Sequence, residues 1–223
     1  EILQEVIPRV LEHLWRGAIL FDISSIKQGI FPVLMEAQKK GVHCLSLHPM
    51  FGPGAKTLAG KNLLIVPVNT QHEIIEKISK IFRDAGAKVI LVDSPSMHDE
   101  LMALTLALPH FVNIAFGKLL TSTKSSINEL KKYGGSTFTL QLLTTEFVLG
   151  EDPEAYASIQ IDNEKFKSVL DRFMEYTEKL RRIVTSGNKK EFVVLFNEIR
   201  RYLEEDTEFN DAYWKSYSLL DTH

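Results

Sequence analysis

His48 closes a short apolar run, residues 42–47, and is followed at once by Pro49, Gly52, Pro53 and Gly54. A run of Val, Cys and Leu of this length reads as a buried strand. The prolines and glycines after it force a turn. Open α/β sheets bind ligands outside the carboxyl ends of their strands, so a histidine placed there can face a pocket. Its ordinary pKa near 6.5 suits it to take or give a proton at neutral pH. The competing reading is a loop histidine beside a proline-stiffened turn. Ser24 and Ser25 follow a second apolar run, residues 18–23, and can either reach a ligand or cap the next helix. Lys27 reads as a solvated helix-start lysine, though a substrate carboxylate nearby would welcome it. His98-Asp99 and His110 lie in one long apolar pattern. An ideal helix at about 100° per residue aims His98 and His110 roughly 120° apart and puts Asp99 and His110 on one face, directions that Pro109 makes unsafe. On pattern alone His110 is a satisfied core histidine, and His98-Asp99 an exposed pair near a helix start. His13, His43, His72 and His223 are scattered, and no spacing such as H-E-x-x-H points to a metal.

The elements that must hold these residues alternate. An amphipathic helix over 2–15 is bent or shortened by Pro8. The strand at 18–23 leads to a helix over 28–40 ended by Gly41, then to the His48 strand. A strand at 63–68, a helix over 71–85 closed by Gly86, and a strand at 88–92 follow. Strand and helix at this interval predict parallel βαβ units. The character changes at Ser94-Pro95, a good N-cap and first helical residue. From there the periodicity predicts helices only: 95–122, 125–133 stopped by Gly134-Gly135, 139–149, a short one capped by Asp152-Pro153, 164–186 and 188–203. Asn188 with Glu191 resembles a capping box. The expected organisation is an α/β part over 1–93, the C-terminal half of a Rossmann-type parallel sheet, and an all-α part over 94–223.

Composition narrows the class. The chain has 223 residues, 44% apolar and 25% charged, with net charge -3. No basic surplus argues for nucleic acid or an anionic membrane surface. No apolar run reaches the ~18 residues of a membrane span, and the first residues lack a signal peptide's basic start and apolar core. One cysteine, Cys44, excludes an intramolecular disulfide, reads as a buried structural thiol and suits a reducing cytoplasm.

His48-Pro49-Met50-Phe51-Gly52-Pro53 resembles the active-site signature of the prephenate and arogenate dehydrogenases of tyrosine biosynthesis. The likeness extends upstream to Asp22-Ile23-Ser24-Ser25-Ile26-Lys27. Downstream it takes in Leu58-Ala59-Gly60, His98-Asp99, Leu108-Pro109-His110-Phe111, the run 151–157 and the helical tail. The resemblance implies NAD(P)-dependent oxidative decarboxylation, with hydride leaving the carbon that bears the ring hydroxyl. It implies His48 as the group that accepts the hydroxyl proton. Ser25 then bridges substrate, cofactor and histidine, and Ser24 and Pro49 lie against the cofactor. His110 and Gly52 contact substrate, and His98 supports the pocket. The helical domain is where subunits of the family dimerise, which fits two long amphipathic helices with more apolar face than one domain covers.

Two departures stand out. No Gly-x-Gly-x-x-Gly is present: Gly52-Pro53-Gly54 begins like it, but position 57 is Thr and no strand–turn–helix context fits. Gly54 and Gly60-Lys61 likewise miss the P-loop spacing. The family's pyrophosphate-binding glycines precede the matching region, so this chain is expected to lack that half and to be inactive alone. The acidic or basic residue that selects NAD or NADP lies there too. An Arg that clamps substrate carboxylate in many members is replaced, with Thr139 at its place, leaving Lys118, Lys124, Lys131, Lys132 or a partner subunit to supply the charge. The rival readings are a non-catalytic dimerising or ligand-binding module, and an oxidoreductase of the same build acting on a hydroxy acid.

Overall fold

A computed structural model describes residues 2–221; His223 lies outside them. Four strands, β1 (Ile19–Asp22), β2 (His43–Pro49), β3 (Asn62–Pro67) and β4 (Lys88–Leu91), form one sheet in sequence order. β1 with β2 and β3 with β4 are parallel, whereas β2 and β3 are antiparallel, with His48 opposite Leu64. The expectation of parallel pairing throughout is corrected here. A parallel return needs a crossover, usually a helix. Residues 50–61 contain Gly52, Pro53, Gly54 and Gly60 and form no helix, so the chain turns straight back. Helices α2 (Phe31–Lys39) and α3 (His72–Asp84) supply the two crossovers that keep the other pairs parallel. The carboxyl ends of β1 and β2 therefore share an edge with the amino end of β3.

Strand alternation divides β2 between two faces. Leu45 and Leu47 join Leu63 and Ile65 beneath Ile75 and Ile78 of α3. Cys44 points the other way, into Ile7 and Leu11 of α1 (Ile2–Leu11) and Leu34 and Ala37 of α2. Ser46 and His48 share that second face, and both are buried. Each fully buried Leu or Ile contributes about 1.5–3 kcal/mol, which holds β2 rigidly enough to aim its polar residues. Burial also pushes the Cys44 thiol up to about 11, as suits a structural thiol. Gly41 and Gly86, both at positive φ, end the two crossover helices as their positions predict.

The chain folds as two compact units. One runs through Ala107 and takes in Ala157–Phe166; the other comprises Leu108–Tyr156 and the chain from Lys167 on. Helix α4 (Pro95–Met102), capped by Ser94 Oγ accepting from the Met97 amide at 3.1 Å, belongs to the first. It passes through a π-helical turn, Ala103–Ala107, into α5 (Leu108–Leu120). Pro109 explains the widened turn: it has no N–H for the ladder, and its ring displaces the carbonyl one turn back. The stretch Pro95–Leu120 is 26 residues long with a mean hydropathy of 1.4 in its most apolar part, long and apolar enough by length and composition to cross a membrane. That revises the expectation that nothing reaches such a length. Within that part Pro109, His110, Asn113 and Lys118 interrupt the apolar residues without lowering the mean enough.

In the second unit, α5 packs on α7 (Ser136–Leu149). Asn113 Oδ1 accepts from Gln141 Nε2 at 2.9 Å and from the hydroxyls of Thr144 and Thr145 at 3.2 and 2.9 Å. Gly117 lets the helices approach, since a Cβ there would lie 2.9 Å from Leu149 Cδ1. Helices α6 (Ile127–Tyr133), α8 (Pro153–Ile161), α9 (Glu164–Thr185) and α10 (Lys189–Leu203) lie where the periodicity places them, while α7 starts three residues earlier than expected. Asn188 Oδ1 accepts from the Glu191 amide at 3.2 Å, as the cap requires. A last helix, α11 (Ala212–Leu220), lies where none is expected. Its aromatic residues, Tyr213, Trp214 and Tyr217, leave no apolar stripe to read.

Candidate active site

His48 enters the site through β2. The residue is 4% exposed, yet its ring meets polar neighbours. Nδ1 lies 3.0 Å from His98 Nε2, and His98 Nδ1 lies 2.8 Å from Asp99 Oδ1. Asp99 Oδ1 and Oδ2 accept from the backbone amides of Lys27 and Gln28, each at 2.9 Å. The Asp99 carbonyl accepts from Asn163 Nδ2 at 2.8 Å. A strand residue, a helix pair and the loop after β1 are thus joined through one carboxylate. His98 and Asp99 are both fully buried, not the exposed pair that a helix start suggests. Asp99 is bound because its side chain satisfies two amides that no helix hydrogen-bonds, a need invisible in the one-dimensional pattern.

His48 Nε2 has no hydrogen-bond partner among the described residues. It is not sealed either: of the described buried side-chain nitrogens and oxygens, only Ser79 Oγ and His110 Nδ1 lack one. The open end of the ring that the sequence nominates is therefore Nε2. Burial, and then the nearby His98 and Lys27, push the His48 pKa down to about 3, so the ring is neutral at physiological pH. A neutral imidazole whose free nitrogen carries no proton is an acceptor.

Lys27 corrects the solvated reading. It is fully buried. Its three ammonium protons go to Asp22 Oδ1 at 3.2 Å and to the carbonyls of Ser24 and Leu47 at 2.7 and 2.6 Å. Burial lowers its pKa, against the attraction of Asp22. Asp22 also accepts from Ser46 Oγ and from the Ser24 amide and hydroxyl, the last at 2.6 Å. Sequence reasoning missed Asp22, Lys27, Ser46 and Asn163 as members of this network. The available signal was strand alternation, which puts Ser46 on the His48 face, and a carboxylate five residues before the lysine.

The two serines separate. Ser24 Oγ is directed inward, to Asp22 and to the Ile26 carbonyl at 3.0 Å. Ser25, half-buried, makes no side-chain hydrogen bond among the described residues. Neither caps α2, whose N-cap is Ile30. Pro49 ends β2 opposite Leu63, and Gly52 follows in the exposed turn, its carbonyl accepting from Ala55 at 3.1 Å. His110 belongs to the second unit, its ring 4.4 Å from that of Tyr156 and its Nδ1 sealed without a partner. Thr139 spends its hydroxyl on the Gly135 carbonyl at 3.1 Å. Lys131 pairs with Glu146 at 2.9 Å, while Lys118, Lys124 and Lys132 are exposed. A cavity of about 430 Å³ beside the Thr139 segment is lined by Ser136, Gln141, Thr144, Tyr213 and Tyr217 among others, none charged.

At the carboxyl ends of β1 and β2 the groups left free to meet a ligand are the Ser25 hydroxyl and His48 Nε2. A glycine-rich pyrophosphate turn is not among these 223 residues.

A sheet with Rossmann-like crossovers, a buried histidine at its edge and a helical second part are the build of a two-domain nucleotide-dependent dehydrogenase. Residues 1–91 match the family model of the prephenate dehydrogenase nucleotide-binding domain, and residues 94–198 that of the prephenate dehydrogenase dimerization domain. The chain belongs to the prephenate/arogenate dehydrogenase family. It is 28% identical over 222 residues to a probable arogenate/prephenate dehydrogenase of Methanocaldococcus jannaschii, covering 98% of this chain and 49% of that protein. It is 30% identical over 190 residues to a 4-amino-4-deoxyprephenate dehydrogenase of Streptomyces pristinaespiralis, covering 85% and 62%. The chain thus spans about half to three-fifths of these curated relatives. Its fold resembles that of A. aeolicus prephenate dehydrogenase in complex with hydroxyphenyl propionate and NAD+ (TM-score 0.72, 21% identity, 91% of this chain and 72% of that one). It also resembles Synechocystis arogenate dehydrogenase (TM-score 0.67, 19% identity, 92% and 73%).

Proposed function

We propose that the protein is an NAD(P)-dependent dehydrogenase of prephenate, or of arogenate, in tyrosine biosynthesis. The observation that carries this is His48: a neutral, buried imidazole whose Nε2 alone is open, at the carboxyl end of a strand. When bound, the nicotinamide supplies the hydride acceptor. His48 Nε2 takes the ring-hydroxyl proton as that oxygen becomes a carbonyl. The ring carboxylate leaves as carbon dioxide and aromatisation drives the step. A general base of this kind is worth roughly 10²–10⁴-fold. Ser25 is placed to hold the hydroxyl, the cofactor amide or both. Ser24 acts indirectly, by fixing the loop through Asp22. His110, in the motif Leu108-Pro109-His110-Phe111, is a substrate contact. The neutral lining near Thr139 supports a weaker carboxylate clamp than an Arg gives, which favours tolerance of arogenate, whose ammonium offsets one negative charge. The helical unit is the homodimer interface, and the enzyme acts in the cytoplasm without nucleic acid or membrane.

The test is reduction of NAD or NADP by the full-length protein with prephenate, arogenate and simple hydroxy acids. His48→Asn is expected to lower kcat by 10²-fold or more with KM little changed. Turnover of neither cyclohexadienyl substrate would favour the non-catalytic module; turnover of a hydroxy acid alone would favour the other oxidoreductase.

A further inference from the structure

The proton positions along His48, His98 and Asp99 follow from their partners. Asp99 is the fixed end. Its two oxygens face three N–H groups: those of Lys27 and Gln28, and whatever His98 Nδ1 carries. A carboxylate only accepts, so His98 Nδ1 must be the protonated nitrogen. In neutral His98 this leaves Nε2 bare, and a bare Nε2 at 3.0 Å requires the proton of the facing contact to sit on His48 Nδ1. His48 Nε2 is then bare as well. Free imidazole side chains in water favour the opposite tautomer, with the proton on Nε2, which would make His48 a donor toward a hydroxyl and useless as a base.

We propose that His98 and Asp99 are positioning residues that lock His48 in its Nδ1–H tautomer, so that while His98 carries one proton the nitrogen facing the open side is the acceptor. Which hydrogen bond one ring nitrogen makes decides the state of the other. The lock is rigid because Asp99 is held at both ends: its carboxylate by two amides, its carbonyl by buried Asn163. It is also selective. If His98 carried two protons, His48 Nδ1 would have to accept and Nε2 would carry the hydrogen, switching the base off. The inference rests on the proposed function only for the identity of the proton that Nε2 receives; the tautomer itself does not depend on it.

Long-range ¹H–¹⁵N correlation spectra of the full-length protein read the tautomer directly. Wild type is expected to show His48 with Nδ1 protonated and Nε2 bare. His98→Leu removes the acceptor, so the His48 signature should shift toward Nε2–H. His98→Gln places a carbonyl oxygen where it can accept from Nδ1–H and should keep the wild-type signature. In turnover, His98→Leu is expected to lose at least tenfold in kcat with KM within about threefold, and His98→Gln to recover most of it. A wild-type His48 protonated on Nε2 overturns the proposal even if His98→Leu fails to fold. So does a tautomer unchanged in folded His98→Leu. If the signatures behave as expected but neither prephenate nor arogenate is oxidised, the lock stands and the assigned reaction falls.

Discussion

Two buried basic side chains, His48 of β2 and Lys27 of the loop after β1, are handled in opposite ways. His48 is kept neutral, Lys27 is kept paired. For His48 the folded pKa of about 3 lies below the ordinary value of 6.5. Above pH 6.5 neither state binds the proton. As pH falls below 6.5 the unfolded chain takes up a proton that the folded ring refuses, so stability drops progressively between about pH 6.5 and 3. His48→Gln should therefore flatten the fall in Tm between pH 7.5 and 5 relative to wild type, measured by calorimetry. Superimposable pH slopes would mean that the ring is not held neutral. Lys27→Met leaves Asp22 buried without its cation. It should cost about 3–5 kcal/mol in urea unfolding, and adding Asp22→Leu should recover part of the loss. A solvated lysine, as the sequence suggests, would cost almost nothing.

Elements are where sequence and structure agree best, and the exceptions are instructive. Helix punctuation was readable because it is local: Ser94, Asn188, Gly41 and Gly86 each act within a few residues. His48 was readable because the interior of β2 is buried and its end is marked by prolines. The antiparallel pairing was not, since it depends on what residues 50–61 fail to form. The environment of Lys27 was not, because its partners come from Asp22, Leu47 and a helix 72 residues away. The separation of Ser24 from Ser25 needs coordinates, as both fit the same motif. Helix contact at Gly117 is equally hidden. A side chain there meets Leu149 and Thr145 at 2.9 and 3.2 Å, so Gly117→Val should lower stability by about 1–3 kcal/mol despite the better helix propensity of valine. An unchanged urea midpoint would show that α5 and α7 part without cost.

For the whole molecule the open question is what covers the tail. Along one face of α10, Phe192 is 42% exposed, Phe196 58% and Ile199 52%, and Phe192 stacks on Phe196 with ring centroids 6.4 Å apart. A contiguous aromatic and aliphatic face of this kind is rare on a free monomer. A two-fold partner is its simplest cover, because an isologous interface lets one patch satisfy itself. The match of residues 94–198 to a dimerization domain supports the same reading. Central interface residues of this size are worth about 2 kcal/mol or more each, roughly thirtyfold in Kd. Phe196→Glu combined with Ile199→Glu also places two carboxylates where each would face its own copy, so the two effects act together. The double variant should sediment as a monomer at concentrations where wild type is a dimer, with the near-ultraviolet circular dichroism of the sheet unit preserved. A variant that stays dimeric would remove α10 from the interface and transfer its exposed face to some other partner.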